Sequence, residues 1–405
     1  MNVKDRFIRY VKVHTASALN TAKTPTTYRQ FELARMLCAE MEELGMEGVF
    51  CDEHAYAYGF LPATPGCEDR PRIGFIAHID TIPEYSGDKV KPQIIENYDG
   101  GEVALGQSGR VLSPALFPHL ASLKGQTLIT TDGTTVLGAD DKAGVAAIMA
   151  ACEELIASKR PHGRVSVCLT PDEEVGHGAA LMDLERFGAD FAYTVDGGRL
   201  DHLNYETFNA AAASWEISGF SIHPGDAKDK MINAALVAME IDSLLPAAER
   251  PEHTEGYEGF FHLMDVQGCV AKASLSYIVR DHDAGCFEAR KRTLRQIEKY
   301  INEKYGEGTA KLTLRDQYRN MAEKVKEDPR ILELAERAIR RLGLEPVAEP
   351  VRGGTDGAQL SFRGLPCPNI GTGGYACHGP YEHATVEGIE GAARIILGIL
   401  EENLR

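Results

Sequence analysis

The sequence predicts an α/β fold, a mostly parallel sheet with helices on both faces, carrying an inserted α+β domain. Three observations predict it. Short apolar runs end in polar residues and give way to helix-period segments, the alternation that builds a parallel sheet. That style changes after about residue 207 and returns from about residue 320. The length, 405 residues, exceeds one ordinary core and fits two domains. The expected division is 1–207 with 320–405 for the main domain and 208–319 for the insert.

In chain order, Arg29 to Leu44 places Leu33, Leu37, Met41 and Leu44 at helical spacing, and Gly45 follows as a C-cap. Arg72 to Asp80 is a buried strand that ends in His78 and Asp80. Residues 81–135 are rich in Gly, Pro and Asn and predict a long excursion with small strands. Gly144 to Ser158 is a helix with Val145, Ile148, Met149, Cys152, Leu155 and Ile156 on one face. Arg164 to Thr170 is a strand running into Pro171-Asp-Glu-Glu174, and Phe191 to Val195 is another running into Asp196-Gly-Gly198. In the insert, strands are expected at Trp215 to Ile222 and Gly268 to Arg280, and helices at Met231 to Leu245 and Cys286 to Lys304. The α/β style then resumes with a helix at 328–342, a Gly-rich loop at 353–357, a strand near 366–370 and a helix near 386–401.

Composition narrows the function. Apolar residues make up 43% of the chain, enough for a buried core. The formal net charge of −17 repels phosphate backbones and anionic lipid, which argues against nucleic acid and membrane as partners. The nine cysteines include no CxxC pair and read as free thiols of a reducing compartment. The first ten residues are charged and lack the apolar core of a signal peptide, and no run approaches the length of a membrane span. A cytoplasmic enzyme is the expectation.

Ligands of open α/β sheets bind at the carboxyl ends of the strands. Three polar groups fall at such places, at 78–80, 171–174 and 196, and two more lie in glycine-bounded segments. His78-Ile-Asp80 puts a carboxylate behind a histidine, as a metal-binding imidazole needs, although the same pair also serves as a plain structural hydrogen bond. Gly138-Ala-Asp140-Asp141 precedes a helix; Asp141 suits the cap, which leaves Asp140 to point between two cations. Asp172-Glu173-Glu174 crowds carboxylates that repel unless cations or protons intervene, or unless the turn is simply solvated. Asp196 follows a buried strand and either binds metal or caps its turn. His378 lies in the glycine-rich stretch Gly371 to Glu382, with His383 and Cys377 as competitors, and is preferred. Jointly these residues suit a pair of borderline divalent ions, zinc first, cobalt or manganese next. Two ions about 3.5–4 Å apart clamp a water and a carbonyl together. The doubled acid at Glu173 and Glu174 lets one bind metal while the other moves protons.

At this point the residues resemble a known family over nearly the whole chain. The matching stretches are Ile73-Gly-Phe-Ile-Ala-His-Ile-Asp-Thr81, Leu128-Ile-Thr-Thr-Asp-Gly133, Leu137-Gly-Ala-Asp-Asp-Lys-Ala-Gly144 and Thr170-Pro-Asp-Glu-Glu-Val-Gly176. Further on come Tyr193-Thr-Val-Asp-Gly-Gly198, His223-Pro-Gly225, Met231-Ile-Asn-Ala234 and Arg352-Gly-Gly-Thr-Asp-Gly-Ala-Gln-Leu-Ser361. The chain is similar to the tripeptide aminopeptidases, within the larger group of zinc-dependent aminoacylases and carboxypeptidases.

The resemblance implies two Zn2+ per subunit, tripeptide substrates and a monomer or homodimer. It implies that His78, Asp140 and Asp196 bind one ion, and that Glu174, His378 and the bridging Asp140 bind the other. Asp80 would orient His78, and Glu173 would be general base and acid. The insert would be a lid or dimerisation domain, its His223 polarising the substrate carbonyl. Asn233, Arg280 and Arg352 would grip the peptide, with a surface ion pair as the plainer reading of Arg280, which precedes Asp281. The chain departs from the family locally at Cys377 and at Gly379-Pro-Tyr-Glu-His383. A dipeptidase, a carboxypeptidase or an N-acyl amino acid deacylase shares the chemistry and differs in substrate; a noncatalytic binding protein would be expected to lack a ligand or the base.

Overall fold

The computed structural model describes residues 1–405, which divide into two compact units. One comprises Met1–Tyr205, Met321–Glu349 and Thr355–Arg405; the other comprises Glu206–Asn320 and Pro350–Gly354.

The first unit is built on a seven-stranded sheet in the order Glu47–Cys51, Ala57–Leu61, Val165–Thr170, Ile73–His78, Phe191–Gly197, Asn369–Gly371, Leu203–Asn204. Its four central strands are parallel, and the flanking strands pair antiparallel. The central runs are apolar because both faces are covered. Phe75, Ala77, Val167, Leu169, Tyr193 and Val195 join one core with the helices Val3–Val11, Gln30–Leu44, Ala139–Ser158, Arg330–Arg341 and Val386–Glu402. Ile76, Cys168 and Ala192, one residue out of phase, face Phe187 and Leu360 from the short helices Leu184–Phe187 and Asp356–Phe362. The α/β class with helices on both faces is thus observed, the two faces unequally clad.

Gly45 adopts the left-handed conformation expected of a C-cap, with φ +86°. Several elements went unanticipated, among them the helix Val3–Val11 and the strands Ala57–Leu61 and Ala310–Tyr318. Glu47–Cys51 is a half-exposed edge strand without clean alternation. Asp356–Phe362 is a helix where the sequence reads as a loop, because the Thr355 side chain accepts the Ala358 N–H and starts a turn inside a glycine-rich stretch. The excursion contributes Gln93–Ile95 and Leu128–Thr130 to a small antiparallel sheet, which Gly374–Tyr375 and His383–Thr385 complete.

The second unit is a four-stranded antiparallel sheet, ordered Phe260–Gly268, Lys272–Asp281, Asn209–Ser218, Ala310–Tyr318. Helices Ala234–Ser243 and Ala284–Tyr305 share its core, around the chain's single tryptophan, Trp215. The first strand starts six residues before the expected Trp215, in a run of alanines that carries no strand preference. All nine cysteines are free. No helix is long and apolar enough to cross a membrane.

Candidate active site

The site is assembled at the strand ends of the first unit. His78 ends Ile73–His78, Asp196 lies at the end of Phe191–Gly197, and Glu173 and Glu174 follow Val165–Thr170 after a two-residue step. Asp140 stands where the chain enters helix Ala139–Ser158 with non-helical dihedrals, its peptide to Asp141 being cis. Gly144 permits the helix to start so close to the sheet: a Cβ there would sit 1.8 Å from the Val195 carbonyl oxygen.

Asp140 offers one oxygen to each of two histidines. Oδ1 lies 2.9 Å from Nε2 of His78, and Oδ2 lies 3.1 Å from Nε2 of His378. Glu174 approaches the same His378 nitrogen at 3.1 Å, and Asp196 approaches His78 Nε2 at 3.7 Å. His383, the competing histidine, is turned away and hydrogen bonds His119 at 2.8 Å.

Carboxylates outside the proposed ligand set fix the backbone of these residues. Asp80 accepts the N–H groups of Glu173 and Glu174 at 3.0 and 3.3 Å, and its side chain lies 3.4 Å from Nδ1 of His78. Asp141 accepts the N–H of Gly144 at 3.1 Å, a helix cap, and that of His78 at 3.3 Å. Asp172 accepts Thr26 N–H and hydroxyl and the Gln30 amide, tying the acidic turn to helix Gln30–Leu44. Glu382 accepts three N–H groups, those of Leu137, Gly138 and Asp140. Sequence reasoning gave no role to Glu382; its only signal was an acid placed four residues after His378 among aromatic neighbours.

The electrostatics are those of a cation site. Burial opposes charge on His78, yet its contacts with Asp140 and Asp80 and the charge of Asp196 outweigh this and hold its pKa well above the usual value. Hydrogen bonds to Asp140 and Glu174 push His378 up to about 11. Asp140 is held far below the carboxylate range: burial would raise it, but both histidines stabilise its anion. Burial and the charge of Asp140 raise Glu174 despite the opposing pull of His378 and His78. Glu173 and Asp196 are raised well above the usual range, first by burial and then by neighbouring carboxylates. Protonated imidazoles here do what metal ions would do.

The donor set fits such ions. His78, Asp140 and Glu174 place donor atoms within 4.8 Å of one another, as do His78, Asp141 and Asp196. Nitrogen and carboxylate donors suit zinc and its neighbours. Both Asp141 oxygens already accept N–H groups, which makes it frame rather than ligand.

His223, Asn233, Arg280 and Arg352 belong to the second unit. His223 is exposed and accepts the Gly225 N–H through Nδ1; Asn233 caps helix Ala234–Ser243. The surface-ion-pair reading of Arg280 is corrected. Arg280 is only 9% exposed, donates to the carbonyls of Ala211 and Val279 and lies over Tyr318, while Asp281 pairs with Arg290. Strand alternation turns Arg280 inward at a position that reads as a polar strand end. Arg352 donates to the Gly256 and Glu258 carbonyls and the Thr254 hydroxyl.

Comparison with known proteins identifies the chain's relatives. Residues 136–402 match the model of peptidase family M20/M25/M40. The chain is 52% identical over 400 residues to Peptidase T of Clostridium perfringens, covering 98% of each. Its fold resembles the aminopeptidase PepT of Bacillus cereus, with a TM-score of 0.80, 23% identity and coverage of 100% of this chain and 98% of that one. It also resembles a tripeptidase of Staphylococcus aureus, with a TM-score of 0.76, 22% identity and coverage of 99% and 98%.

Proposed function

The chain belongs to peptidase family M20/M25/M40 and is a peptide-bond hydrolase, and from that premise we propose that it is a cytoplasmic, zinc-dependent aminopeptidase releasing the N-terminal residue of tripeptides. The observation that carries the metal chemistry is Asp140, whose two oxygens face two different histidines. His78, Asp140 and Asp196 would hold one Zn2+, and Asp140, Glu174 and His378 the other. When bound, the pair supplies Lewis-acid polarisation of the scissile carbonyl and acidifies a water.

The rest is the work of side chains. Glu173 takes the proton of the attacking water and returns it to the leaving amine. Its backbone N–H is held by Asp80, so its place does not depend on its being a ligand. His223 is assigned the oxyanion, and Asn233, Arg280 and Arg352 the grip on the peptide, on the family resemblance.

The test is a substrate panel of Ala-Ala, Ala-Ala-Ala and N-acetyl-Ala-Ala-Ala with zinc, cobalt or manganese. The expected result is rapid release of the first alanine from the free tripeptide and little turnover of the others. Comparable cleavage of the acetylated peptide overturns the aminopeptidase reading, and preference for the dipeptide overturns the substrate class.

A further inference from the structure

We propose that Glu382 is the positioning residue of the bridging carboxylate: it holds the entry loop of helix Ala139–Ser158 so that Asp140 faces both metal positions. The inference rests on the metal reading above and concerns a residue outside the ligand set.

Glu382 is 1% exposed, and both its oxygens are engaged. Oε2 accepts the N–H groups of Leu137 at 2.7 Å and Gly138 at 2.8 Å, and Oε1 accepts that of Asp140 at 2.9 Å. Hydrogen bonds to a carboxylate are shorter and stronger than neutral ones. Three at once define the path of a loop that has no side-chain cap at Gly138.

Glu382 is itself anchored. It immediately precedes the strand His383–Thr385, which pairs with Leu128–Thr130 on one side and Gly374–Tyr375 on the other. His378 lies four residues earlier on the same segment and meets Asp140 Oδ2. One short segment therefore grips Asp140 twice, by its backbone through Glu382 and by its side chain through His378. An amide at this position offers one acceptor oxygen and turns an NH2 toward N–H donors, so the isosteric change breaks the grip without removing bulk.

The experiment compares the parent with Glu382→Gln and Glu382→Asp. It measures zinc affinity by competition with a chromophoric chelator, kcat and KM on a tripeptide, and melting after exhaustive chelation. The expected result is two zinc ions per parent chain and a loss of about tenfold or more in zinc affinity in Glu382→Gln. Expected with it are a reduced kcat with KM nearly unchanged, and a chelated melting temperature close to that of the parent. A parent with two zinc ions and a Glu382→Gln variant of equal affinity overturns the inference and leaves the metal reading standing. So does loss of the chelated fold in both variants, which would make Glu382 a core support only. A parent that holds no metal overturns the metal reading and the inference together.

Discussion

Glu173 and Glu174 are adjacent in the chain, yet they face different partners. Glu174 meets His378, whereas Glu173 is crowded by the charges of Asp196, Asp356 and Glu174. A group raised in this way accepts a proton readily, which suits a base that must later act as an acid. The sequence shows two acids and leaves their division open, because neighbouring residues have no side-chain direction until the turn is folded. Here the single turn of Glu173–Val175, with both N–H groups fixed by Asp80, provides that direction. Glu173→Ala is expected to keep both metals and lose roughly 10²–10⁴-fold in kcat. Metal content and turnover measured on one preparation check this; a variant retaining most of its turnover refutes the role.

At the scale of elements, the central strands and the long helices are legible because each carries a period, continuous apolar runs in the strands and a 3.6-residue stripe in the helices. Short elements are not. The strand His383–Thr385 has three residues and is defined only by its partners. Its first residue is nonetheless the source of a pH dependence. His383 donates from Nδ1 to the Tyr381 carbonyl, which leaves its Nε2 to meet Nε2 of His119 at 2.8 Å. Tyr375 and Phe117 lie against the pair, and burial pushes His383 down to about 4 from 6.5. Below pH 6.5 the unfolded chain binds a proton that the folded chain refuses. Stability from this residue is therefore complete above that pH and is lost as pH falls toward about 4. The expected loss is on the order of 3 kcal/mol at most. Urea unfolding of metal-free protein at a series of pH values should show a shallower acid limb in His383→Gln than in the parent; parallel limbs refute the assignment.

For the whole molecule, the proposed ligands come from residues as far apart as His78 and His378. Metal bound by all of them cross-links segments that lie on both sides of Glu206–Asn320 in the chain, so its binding energy adds to folding stability. Chelation is expected to lower the melting temperature and abolish activity. Re-addition of zinc, cobalt or manganese should restore both, with a midpoint that climbs as free metal rises. A melting temperature indifferent to chelator contradicts the proposed centre. The acidic excess, −17 in all, lies partly within this site and for the rest on the surface.

The sequence by itself determined the α/β class and the residues with the chemistry for a metal site. Both follow from local pattern: apolar runs ending in polar tips, with histidines and carboxylates at those tips. Only the tertiary structure decided which carboxylate faces which histidine. Asp140 and Asp141 are alike as a sequence; the fold makes one face two imidazoles and the other cap a helix. Glu382 became visible only when a loop some 240 residues away donated its N–H groups to it. The physical reason is the same in both cases. A side chain's type is fixed by the sequence, but its role depends on the hydrogen-bond donors and charges within reach, and those are supplied by residues distant in the chain.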